Sequence, residues 1–126
     1  MKTLKFATYN IKHASDLGRY TQSISQLIKN EGIDIIGIQE IDMFCKRSND
    51  KDILKEIATF SGLKFYHFYK TINWQNGEYG VGIISRYPFT TKEIILLPNC
   101  HEQRILVNAS VNIENEELNF LVTHLE

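Results

Sequence analysis

The stretch Asp34–Asp42, DIIGIQEID, constrains this chain more than any other. Four isoleucines around a glycine read as a buried strand, yet the run leads straight into Gln39, Glu40 and Asp42. Two explanations are open. Either the strand has reached the surface, where carboxylates are tolerated, or the core holds Glu40 at a fixed point in a cleft, where it can bind a cation.

The flanking sequence supplies a frame for that strand. LKFATYNI opens the fold, with Leu4 and Phe6 on one face and Ala7 and Tyr9 on the other, as expected of an interior strand. DLGRY turns the chain into a helix whose stripe is Tyr20, Ile24, Leu27 and Ile28, stopped by Gly32. After the central strand, Ser48 to Asp50 offers helix caps. Ile53, Leu54, Ile57 and Ala58 then form a second stripe closed by Gly62. The remainder is strand-rich: KFYHFYKTI, YGVGIISRY, TKEIILL, ILVNASVNI and LNFLVTHLE, separated by Asn, Gly, Pro and the solvated turn ENEE. Ile105, Val107, Ala109, Val111 and Ile113 alternate with mostly polar residues, so one side of that strand is buried. The order predicts a mixed sheet with helices on one face and leaves the other face without a cover.

Bulk properties exclude several classes. The 126 residues, 43% hydrophobic, suffice for one domain with a real core, and no repeat or linker divides them. Fourteen basic against fifteen acidic residues give a net charge of −1, so no global field announces nucleic acid and phosphate recognition must be local. No apolar run is long enough to span a bilayer, and no leader pattern follows Met1. Cys45 and Cys100 are too few for a disulfide framework, which favours a reduced, cytoplasmic setting.

Three strands end in polar groups that a purely structural strand does not need: Asn10, Glu40 and His124. In open α/β sheets, ligands gather beyond the carboxyl ends of strands. Oxygen donors such as Asn10 and Glu40 suit a hard ion, Mg²⁺ or Mn²⁺, which keeps several waters and leaves room for a phosphate. His124 is better placed as a hydrogen-bond donor to a phosphoryl oxygen. Each residue also has a plainer reading: a surface carboxylate, a turn-capping amide, a structural histidine. The aromatic stretch KFYHFYKTINW could stack bases, line a lipid pocket or simply fill the core.

Five segments, TYNI, IIGIQEID, EYGVGIISRYP, EQRILV and LVTHL, fall in the order and approximate spacing of the endonuclease/exonuclease/phosphatase superfamily, and the chain resembles that family over nearly its whole length. The resemblance implies half of a deoxyribonuclease I-like four-layered α/β sandwich with a divalent-metal site at one edge. It further implies that Asn10 and Glu40 hold Mg²⁺ (or Mn²⁺) and that His124 contacts the scissile phosphate, with Glu78 or a nearby acid orienting it and favouring its charged form. Arg104 and Arg47 resemble phosphate-gripping arginines, for which a surface salt bridge is the alternative. His13, in NIKHAS, resembles a residue that lines the cleft, for which an ordinary loop histidine is the alternative.

The family pattern continues past its THL segment with Asp–Asn and Asp–His pairs that are absent here. Residues 1–126 are therefore expected to be the N-terminal portion of such a domain, its bare sheet face supporting a homodimer. The expected function is Mg²⁺-dependent hydrolysis of a phosphoester by in-line attack of water, weak or absent in this portion alone. The substrate would be a small phosphodiester, a phospholipid headgroup or nucleic acid. The alternative is a catalytically silent module that binds a phosphate-bearing ligand or a protein.

Overall fold

A computed structural model describes residues 3–14, 19–98 and 101–125. Most of the turn read at DLGRY, and Cys100, lie outside these residues. Strand β1 (Phe6–Asn10) leads through a short 3₁₀ turn and helix α1 (Arg19–Glu31) to strand β2 (Ile35–Met43). Helix α2 (Ile53–Ser61) follows, then β3 (Phe65–Trp74), β4 (Gly77–Ser85), β5 (Phe89–Leu97), β6 (Arg104–Ile113) and β7 (Glu116–Thr123).

Two sheets result. The first has the order β1-β2-β4-β3, with β1 and β2 parallel and the other pairs antiparallel. The second is the antiparallel set β5-β6-β7. Pro88, between β4 and β5, has no N–H for a ladder, and the chain changes sheets there. The helices cover one face of the first sheet: Ile24 and Ile28 of α1, and Ile53, Leu54 and Ile57 of α2, pack on Ile36, Ile38, Ile41 and Ile84. Each such fully buried isoleucine stabilises the fold by about 1.5–3 kcal/mol.

The other face is where expectation and structure part. It was expected to be bare, but β5–β7 cover it: Ile35, Tyr69, Val81 and Ile83 meet Ile105, Val107, Ala109, Val111 and Val122. The homodimer surface proposed from that face is thus already occupied by the chain itself. Apolar side chains are exposed elsewhere, among them Ile94, Ile95 and Leu96 of β5 and Leu121 of β7. The expected interior strand β1 is instead the edge of its sheet among the described residues, and Phe6 is 70% exposed.

Local signals account for the remaining boundaries. Gly32 and Gly62 end their helices with positive φ. The cap of α2 is Asp52, whose carboxylate accepts from the Lys55 N–H at 3.0 Å, rather than a residue of 48–50; Ser48 is buried in a 3₁₀ turn. Gln75–Asn76 and Glu114–Asn115, all at positive φ, close the β3–β4 and β6–β7 hairpins in two residues each. Gly80 is required because a Cβ there would collide with the Tyr69 carbonyl oxygen.

Candidate functional site

Strand β2 does not stop at Glu40 but runs on to Met43, and its pairing with β4 slips between Ile38 and Ile41. Glu40 sits in that bulge at φ 58°, a left-handed conformation that costs a non-glycine residue roughly 1–2 kcal/mol. The bulge turns the Glu40 carboxylate out into a cavity of about 320 Å³ that Lys12, His13, Arg47, Ile72, Trp74, Tyr79 and Glu102 also line. A larger concavity of about 530 Å³, between β1 and β7, is walled by apolar and neutral side chains and carries no charge.

Parallel pairing sets Asn10 opposite Gln39, one residue from Glu40. Asn10 Oδ1 accepts the Lys12 N–H at 3.0 Å, the turn-capping role open to it from sequence, and retains a second lone pair. Lys12, His13 and Ala14 all have positive φ in the 3₁₀ turn that brings His13 to the cavity.

From the other sheet, the residue after β7 reaches the same place. His124 Nε2 lies 3.8 Å from Glu40 Oε1, and His124 Nδ1 lies 2.6 Å from Arg104 Nη1. A guanidinium can only donate, so Nδ1 accepts and the neutral ring carries its proton on Nε2, facing Glu40. Burial, then the Arg104 charge, lower the His124 pKa from 6.5; Glu40 and Glu102 pull the other way without prevailing. The ring is thus biased toward its neutral form, contrary to the charged form expected from sequence. The carboxylates acting on it are Glu40 and Glu102, whereas Glu78 pairs with Lys70 at 3.3 Å on the β3–β4 hairpin.

Both candidate phosphate arginines are engaged. Arg104 pairs with Glu102 at 2.7 Å in addition to His124. Arg47 Nε and Nη2 each bind a different oxygen of Asp42 at 2.8 Å, so the fork that would grip phosphate is held by a fully buried carboxylate. Its guanidinium also lies 5.6 Å from the ring centres of both Trp74 and Tyr79. Burial raises the Tyr79 pKa strongly, and Glu40 and Glu102 add to the effect, so the phenol keeps its proton and can donate.

Tyr79, Glu102 and Lys12 line the cavity without having been singled out in the sequence, and so does Trp74, the last residue of the aromatic stretch for which base stacking, a lipid pocket and the core were all open. Tyr79 and Glu102 stood inside the quoted segments EYGVGIISRYP and EQRILV, but nothing in a one-dimensional pattern says that these segments meet.

A family model described as "Endonuclease/Exonuclease/phosphatase family" matches residues 7–113. The chain belongs to the Endonuclease/Exonuclease/phosphatase family. Solved structures agree on its fold. A family member from Beutenbergia cavernae DSM 12333 superimposes with a TM-score of 0.81 at 19% identity, over 97% of this chain and 38% of its own. One from Leptotrichia buccalis C-1013-b gives 0.76 at 15% identity, over 98% and 54%. D. rerio TDP2, solved in complex with a single-strand DNA product, gives 0.71 at 20% identity, over 98% and 46%. The chain thus spans between 38% and 54% of the length of these structures. Among proteins of curated function, none matches.

Members of this family generally use a divalent cation. Among the described residues no cluster of three or more His, Cys, Asp or Glu forms a cation cage. The donor set is instead the Glu40 carboxylate in the β2 bulge and the Asn10 amide at the end of β1, which fits a hard ion that keeps most of its waters. Among the described residues no helix is long and apolar enough to cross a membrane.

Proposed function

We propose that this protein takes part in the hydrolysis of a phosphoester, with Mg²⁺ (or Mn²⁺) held by Glu40 and Asn10. The observation that carries this reading is the approach of His124 Nε2, just after β7 of the second sheet, to Glu40 Oε1 of β2 in the first, 3.8 Å apart. That distance is beyond hydrogen-bond reach, so the two groups do not satisfy one another and each can turn to a ligand at their side.

The residues divide the work. The bound cation would offset charge on the phosphoryl oxygens. Nε2–H of His124 donates to one of those oxygens, where negative charge builds as an in-line water attacks. Arg104, donating to Nδ1, holds the proton on the useful nitrogen and leaves Nε2 facing Glu40. The protonated Tyr79 hydroxyl is a further donor on the same wall. Lys12 supplies a positive charge on the wall of the cavity that a phosphate would meet, with the His13 ring beside it.

We also assign residues 1–126 to the N-terminal portion of such a domain, in keeping with the partial span of the neighbouring structures. Turnover by the chain alone is then weak or absent, so the cation site needs a test that does not depend on rate. Mn²⁺ added to isotope-labelled protein should broaden the backbone amide signals around Asn10 and Glu40 first, and Glu40→Gln should abolish this selectivity. Broadening centred elsewhere, or unchanged in the variant, overturns the metal assignment. In a longer chain that carries the rest of the domain, hydrolysis of bis(p-nitrophenyl) phosphate should require Mg²⁺ or Mn²⁺, stop with EDTA and fall by roughly two orders of magnitude in Glu40→Gln. Cation binding without any turnover, even in a longer chain, would favour the silent phosphate-binding module.

A further inference from the structure

Trp74 is 44% exposed, an unusual place for the largest aromatic side chain, and it stands on the wall of the cavity that holds Glu40. We propose that Trp74 is a stacking platform that selects phosphoesters carrying a flat aromatic ring, such as a nucleobase, over those without one. The proposal rests on the phosphoester reading of the site and specifies its substrate class.

The surroundings of Trp74 make it rigid where an exposed tryptophan is ordinarily mobile. Arg47 lies against the ring at 5.6 Å and is itself clamped by the two 2.8 Å bonds to the buried Asp42. The Trp74 carbonyl lies 3.2 Å from the Cys45 thiol. The next residue, Gln75, accepts through its backbone oxygen from the Lys46 N–H at 3.0 Å and through its side chain from the Arg47 N–H at 2.9 Å. The hairpin tip is therefore stapled to the segment after β2, and the ring is fixed relative to Glu40, which the same strand carries. Arg47 on one side of the indole, with much of the ring still open, leaves a face for a second flat group. Such a platform needs no ordering on binding, and stacking of a base on an aromatic side chain is sequence-tolerant. Nothing in the catalytic scheme uses Trp74, and a structural role would be better served by burying it.

The test exploits the fact that Trp74 is the only tryptophan in the chain, so its fluorescence reports on this position alone. Thymidine 5′-monophosphate should quench it saturably, and glycerol 3-phosphate, with the same phosphate and no ring, should not. By calorimetry the nucleotide should bind about tenfold or more tighter than glycerol 3-phosphate. Trp74→Leu should remove that preference and Trp74→Phe should restore most of it. Far-ultraviolet circular dichroism of both variants verifies that the fold is kept. Equal binding of the two phosphates, no binding of either, or a preference that survives Trp74→Leu overturns the proposal. Ring preference without turnover even in a longer chain would leave it standing while the hydrolytic reading fails; turnover in that longer chain without ring preference would remove this inference alone.

Discussion

Two carboxylates two residues apart on β2 have opposite fates. Asp42 is fully buried and binds Arg47 through both oxygens at 2.8 Å. Glu40 is partly exposed, held in a left-handed backbone conformation, and its nearest ion-pair partner is a histidine 3.8 Å away whose charge the surroundings disfavour. The bulge between Ile38 and Ile41 separates them. In a regular strand, residues 40 and 42 would share a face; the extra residue aims one at a guanidinium in the wall and the other at the cavity. A satisfied carboxylate stabilises a fold, and an unsatisfied one with strain beneath it is available for function.

If that division is right, the largest effect on stability lies at the Asp42 corner. Arg47→Leu would strand a buried carboxylate and should cost about 3–5 kcal/mol in urea unfolding. Replacing the pair together, Asp42→Leu with Arg47→Leu, should recover most of the loss, because a buried ion pair repays little more than its own desolvation. A single variant within about 1 kcal/mol of the parent would mean that Asp42 is not dependent on Arg47, and the contrast with Glu40 would lose one side.

Glu40 should behave in the reverse sense. Glu40→Gly removes the side chain from a left-handed position that glycine adopts freely, and the relief outweighs the extra entropy of the unfolded glycine. The protein should become more stable by roughly 0.5–1 kcal/mol while losing cation binding. A loss of stability on this change would make Glu40 a structural residue like its neighbour.

Sequence carried part of this picture. The alternating pattern of β6 and the continuous apolar run of β4 were readable, and the structure explains the difference. β6 buries one face against the first sheet, whereas β4 lies between helices and second sheet and is buried on both. What could not be read was which strands pair. A single mixed sheet was expected because strand signals are local, while partition into two sheets depends on where the chain crosses, here at Pro88. Glu40 and His124 were both singled out at strand ends, and their approach is a tertiary fact. For Glu78 or a nearby acid the resemblance implied a place beside His124, with a hairpin carboxylate as the alternative; Glu78 is the hairpin carboxylate, paired with Lys70. For Arg47 a phosphate and a salt bridge were both open; the structure has the salt bridge, to a carboxylate whose burial depends on the bulge, which leaves no mark in the residue pattern.

The smallest expected effect tests the electrostatics on which the His124 reading depends. Burial and Arg104 lower the pKa of this ring below its ordinary 6.5, so the unfolded chain takes up a proton there before the folded chain does. Its contribution to stability is therefore complete above about pH 6.5 and is lost as the pH falls below that value. His67, lowered by burial and by Lys92, acts in the same sense and remains in place as a constant background. Urea midpoints of the parent and of His124→Gln at pH 7.5 and 5.0 isolate the difference, since the shared carboxylates and His67 cancel. The variant should lose less stability between the two pH values than the parent. If it loses more, Glu40 and Glu102 outweigh burial and Arg104, and His124 is charged when it meets its ligand. The ring would then donate from both nitrogens, Arg104 could not be its Nδ1 partner, and the orientation of Nε2 toward Glu40 would need another cause.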